Sequence, residues 1–327
     1  MVKKFLKTII VFAIAFAGAI AFWASQPITG ADQPPIEFTI KSGSGVRGVT
    51  QQIANAGVPV EPILLEILAR VNGKGTRMKA GNYELKPGTT PVRLIDQLVR
   101  GEFAQESLVV IEGWTFKQMR QAIAEHTGLK HDTAAMSEQD LLAKIAPDYK
   151  SPEGLFFPDT YLFAKGASDL QVYRQAHVLL MKRLNDAWAK RDPALPYTTP
   201  YEALTMASIV EKETGQKSER DMIAGVFVNR LKRGMLLQTD PTVIYGMGEQ
   251  YQGNIRKRDL QTDTPYNTYT RAGLPPTPIA LPGAEALTAA FNPAKTDALY
   301  FVSRGNGSSQ FSSNLSDHNN AVNKYQR

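Results

Sequence analysis

The chain contains no cysteine, so a disulfide framework, a thiolate nucleophile and a Cys-based metal site are all excluded. Histidine occurs four times, at His126, His131, His177 and His318. Only the first two lie close in sequence, and a pair five apart without a third ligand reads as surface residues rather than a metal centre. No HExxH segment, serine nucleophile elbow or EF-hand loop is present. The glycines of Ser42–Gly48 lack the Gly-Lys-Ser/Thr ending of a phosphate loop, which leaves a turn. No metal and no cofactor are expected.

Charge of one sign is in mild excess, +6 with a pI of about 9.3, but Lys and Arg are scattered and form no basic run. That pattern argues against nucleic acid and suits an anionic polymer, an anionic membrane surface or a merely solvated face. The 327 residues allow one apolar segment and about two globular domains. The apolar segment is Ile9–Ala24, which approaches the roughly 20 residues that cross a bilayer when Phe5 and Leu6 are added. Lys3, Lys4 and Lys7 precede it and Asp32 and Glu37 follow, which orients the N-terminus inward and the remainder outward. Bulky Phe22 and Trp23 occupy the place of a small-x-small cleavage site, so an uncleaved single-pass anchor is expected.

Beyond a linker at Thr29–Pro35, alternation and helical spacing predict a strand at Glu37–Lys41, helices at Val49–Ala56 and Pro62–Val71, a strand at Ala80–Leu85 and a helix at Pro91–Arg100. The strand-helix-helix-strand order over residues 36–88 resembles the layout of LysM, a module that recognises N-acetylglucosamine polymers. A small α+β domain without sugar affinity fits the same pattern. A strand at Ser107–Ile111 and helices at Thr115–Ala124 and Ser168–Ala189 follow, with a polar stretch at His126–Lys150 between them. In Pro152–Tyr161 three aromatics accompany Glu153 and Asp159; they either stack on sugar rings or fill the core.

The stretch richest in chemistry is Ala203–Gly215. Thr199, Pro200 and Glu202 mark a capped helix start, and Gly215 is the expected stop. At about 100° per residue, Met206, Ile209 and Val210 fall within about 60° of Glu213, while Glu211 lies about 200° away and is expected to face elsewhere. An acid in apolar surroundings at a helix C-terminus keeps its proton, since burial and the helix dipole both disfavour the anion. A proton-holding carboxyl is what glycosidic cleavage requires of a general acid. A solvated helix end is the competing reading of the same residue. A second cap at Ser218 is expected to open a helix that stops at Gly234. Leu236–Gly246 crowds Gln238, Thr239 and Asp240 before a proline, and Pro265–Ile279 is a long irregular segment that suits a binding site. Leu299–Val302 and Gln310–Ser312 read as paired strands. A glycosidase normally needs a second carboxylate within about 10 Å, and Glu219, Asp221 and Asp240 are the near candidates.

The series MASIVEKET, VFVNRL, LQTDPTVIYG, YNTYTRAGLPPTPIA, Asn292-Pro293 and LYFV resembles, in this order, the YceG-like family of endolytic murein transglycosylases. The likeness also takes in the N-terminal anchor and EGLFFPDTY. It implies an α+β fold with a transmembrane helix (1–28), a small LysM-like subdomain (29–106) and a larger catalytic domain (107–327) on the periplasmic side of the inner membrane. It further implies non-hydrolytic cleavage of the bond between N-acetylmuramic acid and N-acetylglucosamine in nascent strands, leaving 1,6-anhydro ends. Because the sugar's C6 hydroxyl is then the nucleophile, one acid suffices, and the family's motif places it at Glu213. Gln238, Thr239, Asp240, Tyr266, Asn267 and Tyr269 are implied to line the cleft, and peptidoglycan strands, the membrane and peptidoglycan synthases to be the partners. A membrane-anchored, non-catalytic glycan-binding scaffold is the alternative, and a hydrolase using Asp240 is the chemical runner-up.

Overall fold

The structure, a computed structural model, describes residues 2–326, with the side chains of 2–6 and 13 outside the description. The expected basic flank at Lys3 and Lys4 therefore lies outside the described side chains. It is a mixture of helices and short strands that divides into two compact units.

The first unit comprises Met1–Glu106 with Leu162–Ala167. It begins with α1 (Val2–Ser25), whose stretch Lys7–Ser25 is long and apolar enough to cross a membrane, with a mean hydropathy of 2.1. There follow β1 (Ile36–Ile40), α2 (Val46–Asn55), α3 (Pro62–Val71), β2 (Gly81–Leu85) and α4 (Pro91–Arg100). Strands β1 and β2 pair antiparallel, with Ile36 opposite Leu85 and Phe38 opposite Tyr83. Period-two alternation sends Phe38, Ile40, Tyr83 and Leu85 into the core, where Phe38 stacks on Tyr83 at 5.5 Å. Gly81 has φ 151°, and a Cβ there would sit 2.4 Å from the Phe103 ring, so only glycine fits. Thr90 caps α4 by accepting the Arg93 N–H, and Pro91 takes the first helical position.

The second unit comprises Ser107–Tyr161 and Ser168–Arg327. The chain passes between the units along β3 (Gln105–Val109), and the second continues with α5 (Phe116–Glu125), β4 (Leu129–Lys130) and α6 (Glu138–Ile145). After β5 (Thr160–Ala164) and β6 (Ala167–Ser168) come α7 (Asp169–Ala189), α8 (Pro200–Glu213), α9 (Arg220–Lys232), α10 (Asp240–Met247), α11 (Lys257–Gln261) and α12 (Ala284–Phe291). The hairpin β7 (Tyr300–Ser303) and β8 (Ser309–Ser312) and the helix α13 (Leu315–Tyr325) complete it.

Helix α8 is the axis of this unit, packed by α7, α9, α10 and α12. Thr199 caps it through the Glu202 N–H as expected, but the Glu202 carboxylate reaches the Thr198 N–H instead of closing the box on Thr199. Every residue from Ala203 to Val210 is buried, so α8 has no solvent face, and the one-sided stripe expected from periodicity is replaced by burial all round. Glu211 faces elsewhere, as expected, but is buried there: its side chain is 5% exposed, ion-paired with Arg220 at 2.9 Å and accepting the Gly283 N–H at 2.9 Å. The helix ends at Glu213, two residues before the expected glycine stop.

The aromatics of Pro152–Tyr161 fill the core, with Phe156 stacked on Phe116 at 5.4 Å and edge-on to Tyr173. Gly154 turns the chain there at φ 79°, where a Cβ would meet Pro278 at 2.4 Å. The polar stretch His126–Lys150 contains α6, opened by a Ser137–Asp140 capping box. The Ser218 cap is replaced by a 3₁₀ turn, Lys217–Glu219, that runs into α9. Strands β7 and β8 pair antiparallel, with Phe301 opposite Phe311.

Candidate active site

Glu213 is the last residue of α8, so its backbone is held by a helix buried from Ala203 to Val210 while its carboxyl emerges at the end of the stripe. It borders a cleft of about 1010 Å³. The Thr239 hydroxyl donates to Glu213 Oε2. Burial pushes the carboxyl above its ordinary pKa, and the nearby charge of Asp240 adds to this; the Thr239 donor and the Arg230 charge oppose it, with burial the largest influence. The group that results holds its proton more firmly than a free glutamate.

A set of buried threonines positions the Thr239 hydroxyl. The Thr239 N–H donates to Thr268 Oγ1 at 3.1 Å, and Thr242 Oγ1 lies 2.8 Å from both Thr268 Oγ1 and the Thr239 carbonyl. Just before it, Gln238 adopts φ 50°, the only non-glycine with positive φ among the described residues. That conformation costs on the order of 1 kcal/mol, and the Gln238 N–H to Thr268 carbonyl bond at 3.1 Å holds it in place. The irregular segment contributing Thr268 is fixed by Asn267, which is fully buried and donates to the carbonyls of Leu260 and Thr262 at 3.0 and 2.7 Å. Asn267 Oδ1 accepts the Tyr269 N–H, which aims the Tyr269 hydroxyl at Asp240 Oδ1, 2.6 Å away.

Of the residues picked out by sequence, Glu213, Gln238, Asp240 and Tyr269 share the cleft. Thr239 stands behind it, 2% exposed and bonded to the acid. Tyr266 and Asn267 are not among the cleft-lining residues: Tyr266 turns its hydroxyl to Thr277 at 2.9 Å, and Asn267 serves the loop. Glu219 is occupied by the Ser309 N–H at 2.7 Å.

Arg230, Tyr300 and His318 are among the cleft residues that sequence reasoning missed. Arg230 on α9 is buried and spends its guanidinium on carbonyls, with Nε to Leu299 at 2.7 Å and Nη1 to Leu237 at 2.8 Å. No carboxylate among the described residues forms a salt bridge with it, and its positive charge acts on Glu213. Tyr300 lies with its ring centroid 5.2 Å from Arg230 and carries His318 stacked at 5.1 Å on it. His318, expected at the surface, instead lines the cleft, because α13 packs on the hairpin. Burial and Arg230 both lower its pKa, which favours the neutral imidazole. The one available signal was Arg230, a charge at a core-facing position of an apolar helix. Among the described residues no cluster of His, Asp and Glu has metal-binding geometry.

The profile of the YceG-like family matches residues 38–324. The chain belongs to the YceG-like family. It is 31% identical over 331 residues to an endolytic murein transglycosylase of Bacillus subtilis, covering 95% of this chain and 91% of that protein. An endolytic murein transglycosylase of Streptococcus pneumoniae is 26% identical over 98% of this chain, which spans 65% of that longer protein. A crystal structure of a YceG-like protein from Listeria monocytogenes matches with a TM-score of 0.56 and 30% identity, over 88% of this chain and 98% of the other. The cleft of this YceG-like chain presents one acid whose pKa burial raises, a second carboxyl bonded by a tyrosine, and neutral hydrogen-bonding groups beside a cation. Such a site serves proton transfer on an uncharged, hydroxyl-rich substrate.

Proposed function

We propose that this YceG-like protein is an endolytic murein transglycosylase that cuts glycan strands of peptidoglycan non-hydrolytically, with Glu213 as its acid and base. The observation that carries the assignment is the Glu213 carboxyl at the cleft, with a pKa raised by burial and bonded to Thr239. Glu213 gives its proton to the glycosidic oxygen as the C1–O bond of the muramic residue breaks. The C6 hydroxyl of that residue then attacks C1, and its proton passes to the Glu213 carboxylate, which restores the acid and closes the 1,6-anhydro ring. Attack within one sugar carries the entropic advantage of an intramolecular reaction. Thr239 favours the carboxylate that exists between the two transfers, and the Asp240 charge returns the group to its protonated form.

Gln238, Asp240 and Tyr269 are the proposed substrate contacts, with Thr239 positioning the acid. Lys7–Ser25 is the proposed single-pass anchor, which places the second unit at the outer face of the cytoplasmic membrane, where nascent strands and their synthases are found. The strand-helix-helix-strand of the first unit is the proposed LysM-like element.

The test is digestion of purified peptidoglycan followed by mass spectrometry of the new ends. Anhydro ends are expected, with activity lost in Glu213→Gln. Asp240 in the same cleft favours one rival, a two-carboxylate hydrolase. Reducing ends in place of anhydro ends would establish it.

A further inference from the structure

The ridge that carries Glu213 has a second hollow on its other side. Three chain segments divide between the two: Glu213, Asp240 and Tyr269 border the first, and their near neighbours Lys212, Pro241 and Tyr266 border the second. The second hollow encloses about 750 Å³, the size of a small-molecule site.

Its lining is aromatic and hydrogen-bonding. Half-buried Tyr245 and Tyr266 meet edge to face at 4.9 Å, and Tyr251 stands beside them. Glu153 is 4% exposed, with Oε1 accepting the Phe116 N–H at 2.9 Å and Oε2 the Tyr245 hydroxyl at 3.1 Å. The Gly154 N–H also donates to this carboxyl, so of its four lone-pair positions one remains for a ligand hydroxyl. Burial pushes this carboxyl up to about 7, so near neutrality it both donates and accepts. The charged side chains of the lining balance, Lys117 and Lys212 against Glu138 and Glu249, with Lys117 and Glu249 ion-paired. Rings beside neutral donors and acceptors suit a sugar better than a phosphate or a carboxylate.

We infer that this hollow is a second saccharide subsite, which holds N-acetylhexosamine units of the same strand beyond the bond cleaved at Glu213. The inference rests on the transglycosylase reading and deepens it: an enzyme that cuts within a strand grips the polymer on both sides of the scissile bond. Tyr266, which the first cleft leaves out, then contacts the substrate from the second.

The test uses the full-length protein in detergent and peptide-free glycan strands fractionated by length. In Tyr251→Ala, and in Ile244→Trp, which fills the hollow, the ratio of kcat/KM on long strands to that on short ones is expected to fall about tenfold, the loss of about one aromatic contact. An unchanged ratio in both variants, at wild-type thermal stability, overturns the subsite. If wild-type protein forms no anhydro ends from any strand, the catalytic reading fails instead. Calorimetry on Glu213→Gln protein then decides the subsite alone: tighter binding of long strands that is lost on adding Tyr251→Ala supports it, and equal affinity for both lengths refutes it.

Discussion

Replacing Thr239 by valine isolates the hydroxyl that faces the acid. The substitution nearly preserves shape, and the Thr239 backbone keeps its bonds to Thr268 and Thr242, so the loop stays in place. The hydroxyl donates to Glu213 and so favours the anion, and its removal raises a pKa that burial has already raised. A hydrogen bond to a charged group is worth about 1.5–3 kcal/mol, and one pKa unit is about 1.4 kcal/mol, so the shift is about one to two units upward. Cleavage needs protonated Glu213 and fails as pH rises through this pKa. The alkaline limb of the rate profile is therefore expected to move up by about one to two pH units. The plateau is expected to fall about tenfold, because the carboxylate between the two proton transfers loses its donor. The assay is the initial rate of anhydro-end formation from about pH 5 to about pH 9, with Thr239→Ser as the control that keeps the wild-type limb. A limb that stays put or moves down, or a serine variant that behaves like valine, refutes the reasoning.

Glu153 has a folded pKa of about 7, raised mainly by burial. The folded state thus binds a proton that the unfolded chain has released, and stability should decline by about 3 kcal/mol as pH rises from about 4.5 to about 7. Glu153→Gln is expected to flatten that decline in thermal unfolding scans, and an unaltered slope would count against the assignment. Arg220→Ala leaves Glu211 buried without its ion-pair partner, an expected loss of about 3–5 kcal/mol that Arg220→Ala with Glu211→Gln should partly recover in denaturant titrations. Asn267→Ala strips the 260–269 segment of two carbonyl partners and the anchor of the Tyr269 N–H. At about 1 kcal/mol per bond, it should lower stability by about 2–3 kcal/mol and slow cleavage through the Tyr269–Asp240 contact. Full activity in that variant would mean that the segment does not shape the site.

Elements whose own residues specify them were readable in the chain. Pro91 and Thr90 begin α4 where propensity says they should, and alternation marks β1 and β2 to within a residue. The missed elements are those whose pattern is masked. Helix α10 opens with Asp-Pro and is only eight residues long, and α6 sits in a polar stretch where its capping box is the one local signal. The contrast drawn between Glu211 and Glu213 used the right helix and the right effect of burial on Glu213, but did not foresee that Glu211 is buried too. The two acids differ because Glu211 is buried against Arg220, whereas Glu213 has a threonine and borders a cleft.

The sequence by itself determined the apolar N-terminal segment, the helix that ends in an acid, the lack of any thiol, and the motif series that marks the YceG-like family. These are local, since capping, periodicity and residue type act over a few positions. Tertiary structure alone decided what surrounds the acid. Arg230, Tyr300 and His318 reach the cleft from α9, β7 and α13, and Tyr266 turns to a different hollow from Tyr269 three residues on. Convergence of this kind depends on how distant elements pack around a buried helix, and so does the low dielectric that keeps a proton on Glu213.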